Sequence, residues 1–266
     1  MKKVVIVLLL SVSLLSSQTL SEKVDSTAKT FYSPGAAMIS GGIFSTASTQ
    51  GGLPRFDIGV GTNMEWFKFT RPDNLEETSF PAFFPFFFGE IGVFGGLSFT
   101  PVLNGILSID LLGRYSPGLI SADFIEEKPQ LISYGVKIGL MKDQLVPPTP
   151  AISITLMNHS YGDLVAKFDT LYTSFKLEDF SIHADISKNL IFLSPYAGIG
   201  YDSYKLKGEW WTENTSSNKR TLAEFKDSSI RYYGGLEFKL LLIKLYLEGA
   251  YRDGNTIVSI GAKIGI

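Results

Sequence analysis

The sequence predicts an all-β protein, an antiparallel transmembrane β-barrel of about ten strands, with twelve as the alternative. Three observations predict it. Apolar and polar residues alternate with a period of two over most of the chain, as in strands with one greasy and one wet face. Beyond the N-terminus, no stretch reaches the ~18 uninterrupted apolar residues of a membrane helix. The breaks between alternating runs are short and long by turns, the habit of barrels with short periplasmic turns opposite long external loops. A soluble sandwich also alternates, but it has no reason to sort its loops.

The C-terminal stretch carries the pattern most clearly. Ile230, Tyr232, Leu236, Phe238 and Leu240 share one parity, and Arg231, Glu237 and Lys239 the other. After a break at 241–243, Leu245, Leu247 and Tyr251 alternate with Lys244, Glu248 and Arg252. Beyond the Asp253-Gly254-Asn255 turn, Val258, Ile260, Ala262 and Ile264 alternate with Ser259, Gly261, Lys263 and Gly265. Charges at mid-strand on one face and aromatics near the ends of the other suit a polar lumen and a lipid-facing wall. On this parity Lys137→Leu and Glu237→Leu should be tolerated for insertion, while Ile138→Lys and Leu236→Lys should not.

Met1-Lys2-Lys3 and the apolar run Val4 to Leu15 have the form of a secretory signal peptide. Residues 1–21 are therefore expected to be removed on export to the outer membrane. Residues 22–53 are small and polar, with Ser33-Pro34-Gly35 and Gly41-Gly42. They are expected to plug or enter the lumen, with a weak strand over 39–47. Residues 54–266 form the barrel, whose clear strands begin at Phe56. Long loops are expected at 68–86, 117–130, 161–171 and 207–228, the last opening on Trp210 and Trp211 as interfacial anchors. From Thr173 to Ser187 the polar parity changes: Lys176 and Glu178 are wet, then Ser181, His183 and Asp185. That change predicts a β-bulge near Glu178–Asp179, because one extra residue swaps the faces.

Composition narrows function. Cysteine is absent, so there is no disulfide framework and no thiolate metal site. The net charge is −2 with no basic block, which gives nucleic-acid binding no electrostatic support. The two histidines, His159 and His183, have no metal-ligand spacing, and no Gly-x-Ser-x-Gly elbow is present. The expectation is a protein that is not an enzyme and holds no cofactor or metal. The acidic lumen candidates are Asp57, Glu65, Glu90, Asp110, Asp185, Asp202, Glu237 and Glu248. The basic ones are Arg114, Lys137, Arg231, Lys239, Arg252 and Lys263. Such a lining reads either as a selectivity filter or as ion pairs filling a narrow barrel. The run Phe80–Phe88 offers Phe80, Phe83 and Phe84 as a hydrophobic mouth, against the alternative of an aromatic girdle.

Ser33-Pro34, Thr46-Ala47, Arg55-Phe56-Asp57, Ser133-Tyr134-Gly135-Val136-Lys137 and Tyr196-Ala197-Gly198-Ile199-Gly200-Tyr201 resemble uncharacterised outer-membrane β-barrel families. The small-residue N-terminal segment also resembles that of the long-chain fatty-acid transporter family, which plugs its lumen. The resemblance implies a fold and a compartment and carries no activity. The functional expectation is a narrow channel or transporter for small or hydrophobic compounds, with outer-membrane lipid and a small hydrophobic ligand as partners. The alternatives are a structural or surface-binding barrel of the envelope and a barrel enzyme acting on lipids.

Overall fold

The computed structural model describes residues 20–42, 46–70, 76–100, 104–118, 125–127, 130–146, 148–212 and 219–265. Helix α1 (Leu20–Ser40) precedes strands β1 (Phe56–Thr70), β2 (Glu77–Phe94), β3 (Ser108–Ser116), β4 (Ile125–Glu127), β5 (Leu131–Met141) and β6 (Ala151–Phe168). Then follow β7 (Leu171–Ser187), β8 (Leu193–Thr212), β9 (Arg220–Thr221), β10 (Phe225–Leu240), β11 (Ile243–Arg252) and β12 (Asn255–Gly265). Ten strands close into an antiparallel barrel, and β4 and β9 are short additions on β6 and β8. Closure pairs β1 with β12, from Asp57 opposite Gly265 to Glu65 opposite Ile257. A closed ring satisfies its backbone without an edge, the condition for crossing lipid with strands.

The alternation sorts side chains as a lipid-solvated wall requires. On β10 and β11, Ile230, Tyr232, Phe238, Leu245, Leu247 and Tyr251 point outward and are exposed, while Arg231, Glu237, Glu248 and Arg252 point inward and are buried. Phe180, Tyr201, Tyr232 and Tyr251 form an outward aromatic rim on four neighbouring strands. The barrel end holding Phe56 and Gly265 also holds the β2–β3, β5–β6, β7–β8 and β10–β11 connections. It is here called the turn end, and the opposite end the loop end.

Beyond the aromatic rim the chemistry of both faces inverts, and this corrects the bulge expected in β7. The pairing of β7 with β8 runs without a shift from Leu171 opposite Thr212 to Ser187 opposite Tyr196. Odd-numbered residues of β7 face inward throughout: Leu171, Phe175 and Leu177, then Asp179, Ser181, His183 and Asp185, all buried. Lys176 and Glu178 face outward. Inside the bilayer the wall is apolar outward and polar inward. Past it the outer face meets water, and the inner face must supply a hydrophobic core. An irregularity of the predicted kind lies on β6, between Tyr161 and Leu164, opposite Leu177 and Phe175. The same extension takes Trp210 and Trp211 into β8, with Trp210 buried inward and Trp211 stacked on Tyr172 at 5.6 Å, away from the apolar band.

Two further expectations change. The phenylalanine run is strand, not loop: β2 spans it, and Phe83 and Phe84 face opposite sides of the wall. Pro81 and Pro85 are accommodated because β2 pairs with β3 only from Phe87 onward, so among the described residues no ladder bond on that side needs their missing N–H. The N-terminal segment is helical up to Ser40, not a strand over 39–47. Val24, Ala28, Tyr32 and Ala36 recur every fourth residue, the spacing of one helix face, and all are buried. The leader expected at 1–21 lies outside the described residues except Leu20 and Ser21, which open α1.

The face assignment makes a direct prediction. Leu236→Lys, within the outward apolar band, should cost ~2–4 kcal/mol in folding into phospholipid vesicles. Glu178→Leu, above the aromatic rim, should change folding free energy by no more than ~0.5 kcal/mol. Equal losses for the two in vesicle-folding titrations would refute the position of the rim.

Candidate functional site

The interior is organised around the C-terminal end of α1. The last four carbonyls of a helix lack intrahelical partners and carry the negative end of its dipole. Here that end is buried, and α1 has no basic residue in its last turn. The wall supplies the donors. Arg231 Nη1 donates to the Ser40 carbonyl. Arg252 Nη1 donates to Ser40 Oγ at 2.9 Å, and Ser40 Oγ in turn donates to the Ala36 carbonyl at 2.8 Å. Arg114 Nη1 donates to the carbonyls of Ile39 at 3.3 Å and Gly41 at 2.7 Å, and its Nη2 to that of Gly42. Asn63 Nδ2 reaches the carbonyls of Met38 at 2.7 Å and Gly41 at 2.9 Å. Gly42 must be glycine: its φ is +65°, and a Cβ there would lie 2.2 Å from Asn63 Oδ1.

Each arginine is also held from behind. Arg231 pairs with Asp202 at 2.9 Å, and Arg252 lies 3.4 Å from Asp202 and 3.8 Å from Asp179. The Arg252 guanidinium sits 4.0 Å from the Tyr204 ring centroid, and that of Arg114 sits 4.2 Å from Phe86. A planar guanidinium suits this double duty, presenting a fork of donors at its edge and a flat face to aromatics. Toward the loop end, Val24, Ala28 and Tyr32 pack in one apolar cluster with Leu177, Leu206 and Trp210. Tyr32 also donates to the Tyr204 carbonyl at 2.6 Å.

Below the clamp, toward the turn end, the lumen holds an ion-pair network. Lys137 bonds Glu90, and Lys263 lies 2.7 Å from Asp57 and 3.7 Å from Glu90. Lys244 also reaches Asp57, at 3.1 Å. Gln50 donates to Asp57 at 2.7 Å through its side chain and to Asp110 at 2.8 Å through its backbone. Tyr196 donates to Glu248 at 3.0 Å, and Tyr246 to Glu237. Lys239, nearest the turn, is half-buried and 3.3 Å from Glu237. Glu65 is buried, and neither of its carboxylate oxygens has a hydrogen-bond partner among the described residues.

The histidines fall into two settings. His183 Nε2 lies 2.9 Å from Arg231 Nη2, so the imidazole accepts there. Asp185, two residues away, takes the hydroxyls of Tyr233 and of Thr155, the latter at 3.0 Å. His159 lies between Ser133 at 2.8 Å and Ser181 at 3.5 Å, all three buried. No described carboxylate orients that ring as a catalytic triad would. No group of three metal-ligating side chains occurs among the described residues.

The mouth candidates do not form one surface. Phe83 faces out, Phe84 faces in against Tyr161 at 5.8 Å, and the Phe80 side chain is outside the described atoms. Outside the wall at the loop end, a groove of about 430 Å³ includes Lys176, Lys207, Glu209, Lys219, Leu222 and Glu224 in its lining. Hydrogen bonds from Lys205 and Lys226 there hold the Glu224 carboxyl down to about 2. Parity identified the arginines but not their common target. Asn63 and Ser40 were missed, although the fourfold apolar spacing of α1 was a readable signal for a helix that ends there.

No protein-family model matches the chain, and no curated protein matches it in sequence. Solved outer-membrane barrels resemble it in architecture. Ail, the attachment invasion locus protein of Yersinia pestis, aligns with 80% of this chain and 98% of its own, at 10% identity and a TM-score of 0.37. The outer membrane protease OmpT of Escherichia coli aligns with 80% of this chain and 96% of its own, at 11% identity and a TM-score of 0.39. CymD, a monoaromatic hydrocarbon channel, aligns with 90% and 96%, at 10% identity and a TM-score of 0.27. The likeness to the fatty-acid transporter family receives no support from these matches.

The ion pairs reverse one expectation from parity alone. Lys137→Leu should destabilise the folded barrel by ~3–5 kcal/mol, because it strips Glu90 of its nearest cation. Adding Glu90→Leu should recover most of that loss. A double-mutant cycle in urea titrations measures both, and additive losses would refute the coupling.

Proposed function

We propose that the chain is an outer-membrane barrel that does not conduct in this state and works from its surface, with the loop end facing outward. The observation that carries this reading is the occupied lumen: α1 fills the loop-end half, and its buried carbonyl end is bonded by Arg114, Arg231, Arg252 and Asn63. Withdrawing the helix would leave buried guanidinium donors and main-chain carbonyls unpaired together, a cost of a few kcal/mol for each charged group. The extension of β6, β7 and β8, with its mixed-charge groove, is then the face offered to a partner. The reading assigns no catalytic residue, since His159 lies between hydroxyls in a buried site.

A second reading, a gated passage for small apolar compounds, is favoured by one observation. The loop-end half of the interior is apolar, and Leu177, Leu206 and Trp210 share a cluster with Val24, Ala28 and Tyr32 of α1. Displacing the helix would open an apolar chamber above a charged one. In planar bilayers the intact chain should give no steady conductance, and Arg231→Ala with Arg252→Ala should loosen α1 and raise open events. Steady conductance by the intact chain would sink the surface reading. Faster uptake of an apolar dye by vesicles carrying the double variant would favour the gated one.

A further inference from the structure

Three two-residue hairpin loops and the two-residue tip of the β7–β8 connection, which a Leu190–Leu193 bridge closes, share one backbone feature, a positive φ at the first loop residue. At the loop end these residues are Asp169 (φ 55°) and Asp253 (φ 48°). At the turn end they are Ile191 (φ 69°) and Leu241 (φ 56°). Aspartate tolerates the left-handed region, whereas a β-branched or bulky apolar side chain resists it, and a tight hairpin turn ordinarily takes glycine, asparagine or aspartate. The turn end thus accepts backbone strain to place apolar side chains at its tips, and those side chains make no use of the barrel. Leu241 is fully exposed, and Ile191, Phe192, Leu242, Leu145 and Val146 are exposed at the same end of the barrel.

We propose that these tips are immersed in the hydrocarbon of the membrane leaflet at the turn end and anchor the barrel there. Two observations select lipid as the occupant. The outward apolar face of β10 and β11 runs from Tyr232 and Tyr251 through Phe238, Leu240, Leu245 and Leu247 into Leu241 and Leu242, so the tips continue the lipid-facing wall. Several backbone groups of the β7–β8 turn also find partners within the protein, which lowers the cost of placing them in hydrocarbon. Leu190 N–H donates to the Leu193 carbonyl at 2.7 Å, Phe192 N–H to Leu190 at 2.9 Å, and Lys239 N–H of the next hairpin to the Phe192 carbonyl at 2.8 Å. Immersion sets the depth of the barrel: strand length in excess of the bilayer lies wholly at the loop end, where β6, β7 and β8 project.

The chain has no cysteine, so single labels are clean. Ile191→Cys, Leu241→Cys, Leu247→Cys and Asp253→Cys carry an environment-sensitive fluorophore in phosphatidylethanolamine–phosphatidylglycerol vesicles. Labels at 191, 241 and 247 should be quenched by acyl-chain nitroxide lipids and shielded several-fold from iodide relative to 253. Iodide reaching 241 as readily as 253, with 247 still quenched by lipid, overturns the anchor and leaves the membrane reading standing. Quenching by lipid at none of the four overturns both. Shielding of 241 from both quenchers means that protein covers the tips, and overturns lipid as the occupant. Ile191→Asn with Leu241→Asn relieves the backbone strain, so the variant should refold in detergent as well as the parent yet fold less completely in vesicles. Equal folding in both media counts against immersion.

Discussion

A helix ending inside a barrel leaves carbonyls that water cannot reach, and the interior of this protein is built to answer that. Ser40, Ile39, Gly41 and Gly42 present their oxygens to a plane where Arg114, Arg231 and Arg252 converge from β3, β10 and β11. The arginines then need counter-charges, which accounts for the burial of Asp202 and Asp179. They also need flat faces to lie on, which Tyr204 and Phe86 provide. One unsatisfied helix end thus dictates the chemistry of side chains on six strands. The interaction is electrostatically costly as well as stabilising, since buried charges hold only while every partner is present.

The plane of arginines divides two interiors of opposite character. Toward the turn end the wall crosses lipid, so its apolar residues are spent on the outside and the lumen holds Asp57, Glu90, Lys137 and Lys263 in mutual ion pairs. Toward the loop end the wall stands in water, and Leu177, Leu206 and Trp210 turn inward onto α1. An ordinary soluble core is thereby stacked on a membrane barrel with no break in the ladder of β7 and β8. The two solvents alone change the rule for which face is apolar.

Much of this was legible without coordinates. Alternation in each strand determined which parity faces which way, because the pleat allows only two faces. Ten strands followed from counting such runs between turn residues, and the charges at 231, 237, 248 and 252 announced their own side. What a single parity could not reveal was the level at which the surrounding medium changes. Lys176 and Glu178 look like lumen residues until β7 is known to continue past the bilayer, and then they face water on the outside. The phenylalanine run of β2 likewise falls in an expected loop, until the short reach of β3 shows that Pro81 and Pro85 have no ladder partner on that side among the described residues.

The sequence by itself determined the sidedness of the strands, through a local period of two, and the barrel, through that period together with the sorted loop lengths and the lack of a long apolar run. Only the tertiary structure decided what fills the barrel. Arg231 and Arg252 face each other across the β10–β11 hairpin, but Arg114 lies far from them in the chain, and nothing local says that the three share one target. Closure of the ring brings Arg114 to their level, and α1 supplies the carbonyl oxygens there, so the full clamp exists only when β1 meets β12 around the helix. Ion pairing across a lumen depends on shear, tilt and diameter, quantities that belong to the closed barrel and to no strand within it.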